Sequence, residues 1–172
     1  MDFLLDGQQT ERLFFRKLKP SDFDVWLPFH KDPRTSEFWG GLPADPEKAC
    51  LADFNRTFFR YDNKLGGKCA LLLKETNELI GLCGLLVQKI DGRQELEIAY
   101  SLLPQFWKKG FAIEAAQQCR LVAKTNQLSA SLIAIIHIEN TPSQQVALKV
   151  GMQIDKTTTY NDNPVHIFRL HL

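Results

Sequence analysis

Between residues 69 and 116 the chain carries three β-prone runs in close succession and then, with no linker, a helix. CALLLKE (69–75) and LIGLCGLLVQKI (79–90) are joined by a tight turn at Thr76-Asn77. QELEIAYSLL (94–103) follows the turn signal Asp91-Gly92 and stops at Pro104. A basic turn, Trp107-Lys108-Lys109-Gly110, then opens an Ala-rich stretch in which Ala112, Ala116, Cys119, Val122 and Ala123 share one helical stripe. The near-continuous apolar run SLIAIIHI (131–138) reads as an inner strand. Paired strands followed by strand–helix–strand alternation constrain the fold class to α/β (α+β).

The flanks agree with this order. ERLFFRKL (11–18) is a short first strand, and Pro20-Ser21-Asp22 signals the start of a helix through FDVWLPFH. Residues 33–45 read as loop, with SEFWGGLP in the middle. Asp45-Pro46-Glu47 starts a second helix whose Cys50, Leu51, Phe54, Phe58 and Tyr61 repeat at helical spacing until Gly66-Gly67 breaks it. Residues 141–150 form a short helix stopped by Gly151, and MQIDKTTTY and VHIFRLHL are two late strands around Asn161-Asp162-Asn163. No repeat or linker interrupts the 172 residues, a length suited to one domain over 1–172.

A net charge of +1 gives no global field to gather nucleic acid or anionic membrane, so an anionic ligand needs a local site. Cys50, Cys69, Cys83 and Cys119 form no C-x-x-C pair and have no His at ligand spacing. They read as small buried hydrophobes in a reducing compartment, and no metal is expected. The start MDFLLDGQQTERL lacks the apolar core of a signal peptide, and the run LIGLCGLLV is too short to cross a bilayer. The expected location is cytoplasmic.

Cations at a helix N-terminus are normally mildly unfavourable, so Lys108 and Lys109 there point to a negative partner. The free N–H groups of that helix end point outward, and Gly110, without a Cβ, lets an anion come close to the backbone. This chemistry suits phosphate or pyrophosphate and does not say whose. A plain strand–helix connection with solvated lysines is the other reading. The P-loop and dinucleotide-fold glycine patterns are absent.

The stretch EIAYSLLPQFWKKGFAIEA (97–115) resembles the GNAT acetyltransferases, most of all the Rim-type branch that acetylates ribosomal-protein N-termini. NTPSQQVALKVGM (140–152) is similar to a second family block, and TERLFFRKL (10–18) to the family's first strand. The resemblance implies a GNAT fold: a central twisted mixed sheet of about seven strands, flanked by about four helices and splayed beside strand 94–103. It implies acetyl-CoA as cosubstrate. The pyrophosphate would rest on backbone N–H groups from Trp107 through Lys108, Lys109, Gly110 and Phe111 to Ala112. The pantetheine arm would pair with the backbone of Tyr100, Ser101 and Leu102, and Asn140 and Ser143 would line the cofactor side. Lys108, Ala99, Gln145 and Met152 depart from the family's usual Gly, Gly, Arg and Phe, and Ala147 stands where many relatives carry a tyrosine acid.

The implied reaction moves an acetyl group to a primary amine, a protein N-terminal α-amine among the candidates, by direct attack in a ternary complex. Freeing an α-amine of pKa near 8 from its proton at pH 7 costs about 1 kcal/mol, and a lysine of about 10.4 costs roughly 4–5. A thiolate leaves with a pKa of about 8.5, so a base matters more than an acid. Glu97 matches the family's glutamate and is the candidate base, with a surface strand acid as the bland alternative, since Glu95 shares its face. Ser143 is a candidate partner for the leaving sulfur, or a helix-start side chain satisfying free N–H groups. Backbone N–H near Ser101 would meet the oxyanion. Phe38 and Trp39 would form the acceptor wall or anchor the core, and His137 reads as a satisfied core histidine. Two other readings stand beside the enzyme: a GNAT-fold protein that holds CoA or acyl-CoA without turnover, and a phosphate-binding module without CoA. The acceptor and the oligomeric state, a homodimer through the late strands included, stay open.

Overall fold

Twelve elements follow one another: β1 (Leu13–Arg16), α1 (Phe23–Lys31), α2 (Pro33–Ser36), α3 (Pro46–Asp62), β2 (Gly66–Leu73), β3 (Leu79–Ile90), β4 (Arg93–Leu102), α4 (Phe111–Thr125), β5 (Ser131–His137), α5 (Thr141–Val150), β6 (Gln153–Tyr160) and β7 (Asn163–His171). They come from a computed structural model that describes residues 2–172. The strands form one sheet in the order β1-β2-β3-β4-β5-β7-β6. Every neighbouring pair is antiparallel except β4 and β5, which the α4 crossover makes parallel.

Side-chain alternation divides the sheet faces. Cys83 pairs with Tyr100, and Cys83 Sγ lies 3.6 Å from Cys119 Sγ of α4, so this face is covered by α4 and α5. Glu97 alternates to the other face, where Lys68 of β2 meets Asp53 of α3 at 3.7 Å. α1 and α3 cover that side. All four cysteines are free and buried, packed as small apolar groups.

Local chemistry sets the helix ends. The Asp45 carboxylate accepts the Lys48 N–H at 3.0 Å ahead of Pro46. The Asn140 side chain accepts the Ser143 N–H at 3.2 Å, and Gly151 stops α5 at φ +97°. Three sequence expectations change. Residues 33–36, expected as loop, make one helical turn, because the Asp32 carboxylate caps it at the Arg34 N–H. Leu51, expected on the buried stripe of α3, is 52% exposed, since the burying face is the narrow one of Cys50, Phe54 and Thr57. Gly66 and Gly67 follow the end of α3 but belong to β2: a Cβ at Gly66 would lie 2.0 Å from the Leu85 carbonyl oxygen, so close strand pairing requires glycine there.

Candidate active site

β4 and β5 are bridged at a single register pair, Glu97 with Ile133. Beyond it the two strands part, and the sheet opens towards their C-terminal ends. The ladder to β3 decides which groups face the gap. The Leu103 N–H donates to the Ile80 carbonyl at 2.9 Å, so by alternation Ser101 and Ala99 also hydrogen-bond β3. Tyr100 and Leu102 therefore turn their backbone groups towards the gap, and Ser101 does not. The expectation that the Ser101 backbone pairs with the arm beside those of Tyr100 and Leu102 is corrected by this register, since Ser101 bonds β3; the gap-facing donors near Ser101, where an N–H was expected at the oxyanion, are those of Tyr100 and Leu102. The Leu102 carbonyl is taken by the Trp107 indole Nε1–H at 2.9 Å.

At the mouth of the gap lies the basic turn. Lys108 (φ +60°) and Gly110 (φ +82°) are both left-handed, on either side of Lys109. Such alternation curls successive N–H groups into an anion-binding concavity. Among the described residues, the N–H groups of Lys108, Lys109, Gly110, Phe111, Ala112 and Ile113 donate to no protein acceptor, and Gly110 supplies no side-chain cap. The Trp107 N–H differs from expectation: it bonds the Pro104 carbonyl at 3.1 Å, so the free row starts at Lys108 and runs to Ile113. This row, in an α4 start with no cap, fits a phosphate group by its donors alone. Arg12, not singled out from sequence, braces the turn. Its Nη1 donates to the Lys109 carbonyl at 3.0 Å, its Nε to Glu114 Oε2 at 2.7 Å, and its guanidinium stacks 4.3 Å over Phe111. Only the tertiary fold joins residues 12 and 114.

On the α4/α5 face, the Tyr100 hydroxyl lies 3.0 Å from both the Ser143 carbonyl oxygen and Ser143 Oγ. The phenol has one proton, so donating it to the carbonyl leaves the Ser143 O–H to donate to the phenol oxygen. Burial keeps Tyr100 protonated by raising its pKa. Asn140 is occupied as the α5 cap. Ala147 is buried at 1% exposure and offers no proton.

On the α1/α3 face stands Glu97, 8% exposed. Burial pushes its carboxyl up to about 7, against the Gln88 amide, Lys68 and Arg60, which pull it down. Gln88 Nε2 donates to Glu97 Oε2 at 2.7 Å. Glu95, two residues earlier, is held differently: its carboxylate pairs with Arg169 at 2.8 Å, and that bond keeps it below the ordinary carboxylate range. The two acids that alternation alone could not separate thus differ in partner and in the direction their surroundings shift each carboxyl.

The loop after α2 reaches the end of β5. Phe38 stacks on His137 with ring centroids 5.3 Å apart, and Trp39, 42% exposed, meets it edge-on at 6.5 Å. The Glu139 N–H donates to His137 Nδ1 at 3.1 Å, which puts the proton of the neutral ring on Nε2. His137 is buried, and it shares the Glu97 face because it lies four residues beyond Ile133. Among the described residues no group of three or more His, Cys, Asp or Glu side chains could hold a metal ion. No helix of the described residues is long and apolar enough to cross a membrane.

Residues 12–153 match the Acetyltransferase (GNAT) domain family. This chain belongs to the GNAT acetyltransferases. It is 32% identical over 163 residues to the "Uncharacterized protein YkkB" of Bacillus subtilis, covering 92% of each chain. It is 31% identical over 151 residues to the "Uncharacterized N-acetyltransferase p20" of Bacillus licheniformis, covering 84% of this chain and 80% of that one. Among solved structures, an acetyltransferase from Agrobacterium tumefaciens superposes with TM-score 0.81 at 25% identity, covering 96% of this chain and 94% of that one. RimL, a ribosomal-protein α-N acetyltransferase in complex with coenzyme A, superposes with TM-score 0.76 at 12% identity, covering 96% and 97%, a likeness of fold. The seven-stranded open sheet with helices on its faces is the GNAT fold, and its five helices are one more than the sequence led us to expect.

Proposed function

We propose that the chain transfers the acetyl group of acetyl-CoA to a primary amine, with a peptide N-terminal α-amine as the favoured acceptor, both substrates bound together. One observation carries this reading: the edge of β4 beyond Glu97, which no strand pairs, leads through the turn at residues 103–107 to a row of unpartnered N–H groups from Lys108 to Ile113. A strand edge that can pair with an extended amide-bearing arm, followed at once by a phosphate cradle, suits a CoA thioester. The RimL neighbour holds coenzyme A on the same fold.

Acetyl-CoA supplies, when bound, an acyl group on a good leaving thiol. The protein supplies the rest. Lys108 to Ile113 hold the phosphates, and the Tyr100 and Leu102 N–H groups orient the arm and stand ready for developing negative charge. Glu97, on the α1/α3 face, takes the proton of the acceptor amine directly or through a water. Phe38, Trp39 and His137 wall the acceptor side, opposite the Tyr100–Ser143 pair. The acceptor class follows from proton affinities. Glu97 at about 7 lies roughly one unit below an α-amine near 8, an uphill transfer of about 1.4 kcal/mol, whereas a lysine near 10.4 requires roughly 4–5 kcal/mol.

The test is thiol release from acetyl-CoA by the purified chain with N-terminal peptides and alkylamines, in wild type and Glu97→Gln. Glu97→Gln loses on the order of 10²–10⁴ in kcat/KM, and the defect shrinks as pH approaches the amine's pKa. Lysine-like acceptors suffer more than α-amines. Binding of acetyl-CoA without thiol release from any amine would establish the non-catalytic alternative instead. Parallel pH profiles for the two proteins would remove Glu97 from the mechanism.

A further inference from the structure

A buried carboxylate with one amide partner raises the question of which of its two oxygens carries the exchangeable proton. Arg60 of α3 answers it from behind. Its Nη2 donates to Gln88 Oε1 at 3.2 Å, while its Nη1 donates to the carbonyls of Val87 at 3.0 Å and Leu65 at 3.3 Å. A guanidinium only donates, so the Gln88 amide must turn its oxygen to Arg60 and its nitrogen to Glu97. Gln88 Nε2 then donates to Glu97 Oε2 at 2.7 Å. A proton on Oε2 would face that N–H, so it belongs on Oε1. Among the described residues Oε1 accepts no protein hydrogen bond. Among the described residues the side-chain atoms both sealed from solvent and without a hydrogen bond are Trp26 Nε1, His30 Nε2 and Ser36 Oγ; Oε1 is not one of them, so it keeps some contact with solvent.

We propose that Arg60 and Gln88 are positioning residues that fix the Glu97 carboxyl, binding Oε2 and presenting Oε1 as the oxygen that takes up the acceptor's proton. The proposal rests on Glu97 as base for its catalytic half only. The charged surroundings are accounted for. Lys68 of β2 faces Glu97 and is shared with Asp53 of α3, which Arg56 pairs at 3.3 Å and His30 of α1 meets at 3.8 Å, while His137 of β5 lies on the same face against Phe38. Glu95 of β4 is held by Arg169 of β7, and the Tyr160 hydroxyl of β6 acts on Arg60. Within this set Gln88 is the neutral group that touches the carboxyl, so its removal alters geometry and donor number without altering net charge.

Two readouts separate the halves. The first is the Glu97 side-chain carboxyl titration, followed by carbon-13 NMR on glutamate-labelled full-length protein and assigned by its loss in Glu97→Gln. Gln88→Leu removes a donor to the ionised form, so the midpoint rises by about one pH unit or more. Arg60→Met raises it as well, and Arg60→Lys, which keeps a donor and the charge, returns it towards wild type. The second is kcat/KM against pH with acetyl-CoA and an N-terminal peptide. Gln88→Leu moves the acid limb up with the NMR midpoint and lowers kcat on the order of tenfold, with the KM for acetyl-CoA unchanged. Gln88→Leu adds nothing to the loss in a Glu97→Gln background. An unchanged midpoint in folded Gln88→Leu overturns the proposal, as does a defect that simply adds to that of Glu97→Gln. A shifted midpoint with a fully active Glu97→Gln keeps the positioning of the carboxyl and brings down the base assignment alone.

Discussion

Glu97 costs the fold something that Glu95 does not. It holds its proton more tightly folded than unfolded, because burial raises its carboxyl to about 7. That contribution to stability is full below the unfolded value and is lost as pH rises through about 7, by on the order of 3 kcal/mol. Glu97→Gln, which keeps an oxygen for Gln88, therefore raises Tm at pH 8 and leaves it nearly unchanged at pH 4. Thermal melts at the two pH values check this, and equal gains at both would mean that Glu97 is not buried as an acid. Ser143 belongs to the same scale. Its hydroxyl is already held by Tyr100, and a thiol of pKa about 8.5 leaves without strong acid help. Ser143→Ala is expected to lower kcat by less than about tenfold. A loss as large as that of Glu97→Gln would give Ser143 the proton-donating role.

The turn into α4 works as an element. Lys108 occupies a left-handed conformation that glycine adopts at no cost and a lysine adopts at about 1 kcal/mol, a strain the Arg12–Glu114 brace helps to hold. Gly110 is left-handed too, and a side chain there would meet the brace. A Cβ there would sit 3.3 Å from Arg12 Nη2 at φ +82°. Gly110→Val is expected to cost about 1–2 kcal/mol of stability and to weaken acetyl-CoA at least tenfold, because the side chain blocks the N–H row. Calorimetric titration of the folded variant measures it, and wild-type affinity would place the phosphates elsewhere.

At the scale of the whole molecule, the gap exists because a parallel pair sits inside an otherwise antiparallel sheet. The α4 crossover starts at the end of β4 and returns to β5, so the two strands meet at Glu97 and Ile133 and then separate. A ligand that fills the gap joins the two sides and binds only the folded chain. Saturating acetyl-CoA should therefore raise Tm by several degrees, following RT ln(1 + [L]/Kd). A melting curve that does not move, together with no heat of binding, would dismiss acetyl-CoA as the ligand.

The sequence by itself determined what depends on neighbours along the chain. Period-2 and period-3.6 patterns placed the strands and long helices, Pro104 and Gly151 marked ends, and Lys108-Lys109-Gly110 marked the turn into α4, because cap and turn preferences act within a few residues. The tertiary structure decided what depends on distant partners. Sheet register turned the Ser101 backbone away from the gap and the Tyr100 and Leu102 backbones towards it. It gave Glu95 an arginine and Glu97 an amide, a difference that two residues on the same face of one strand cannot show in sequence. It also brought Arg12 to α4, Arg60 and Gln88 to Glu97, and His137 to Phe38, since hydrogen bonds and ring stacks between residues 9 to 102 positions apart exist only after the chain has folded back.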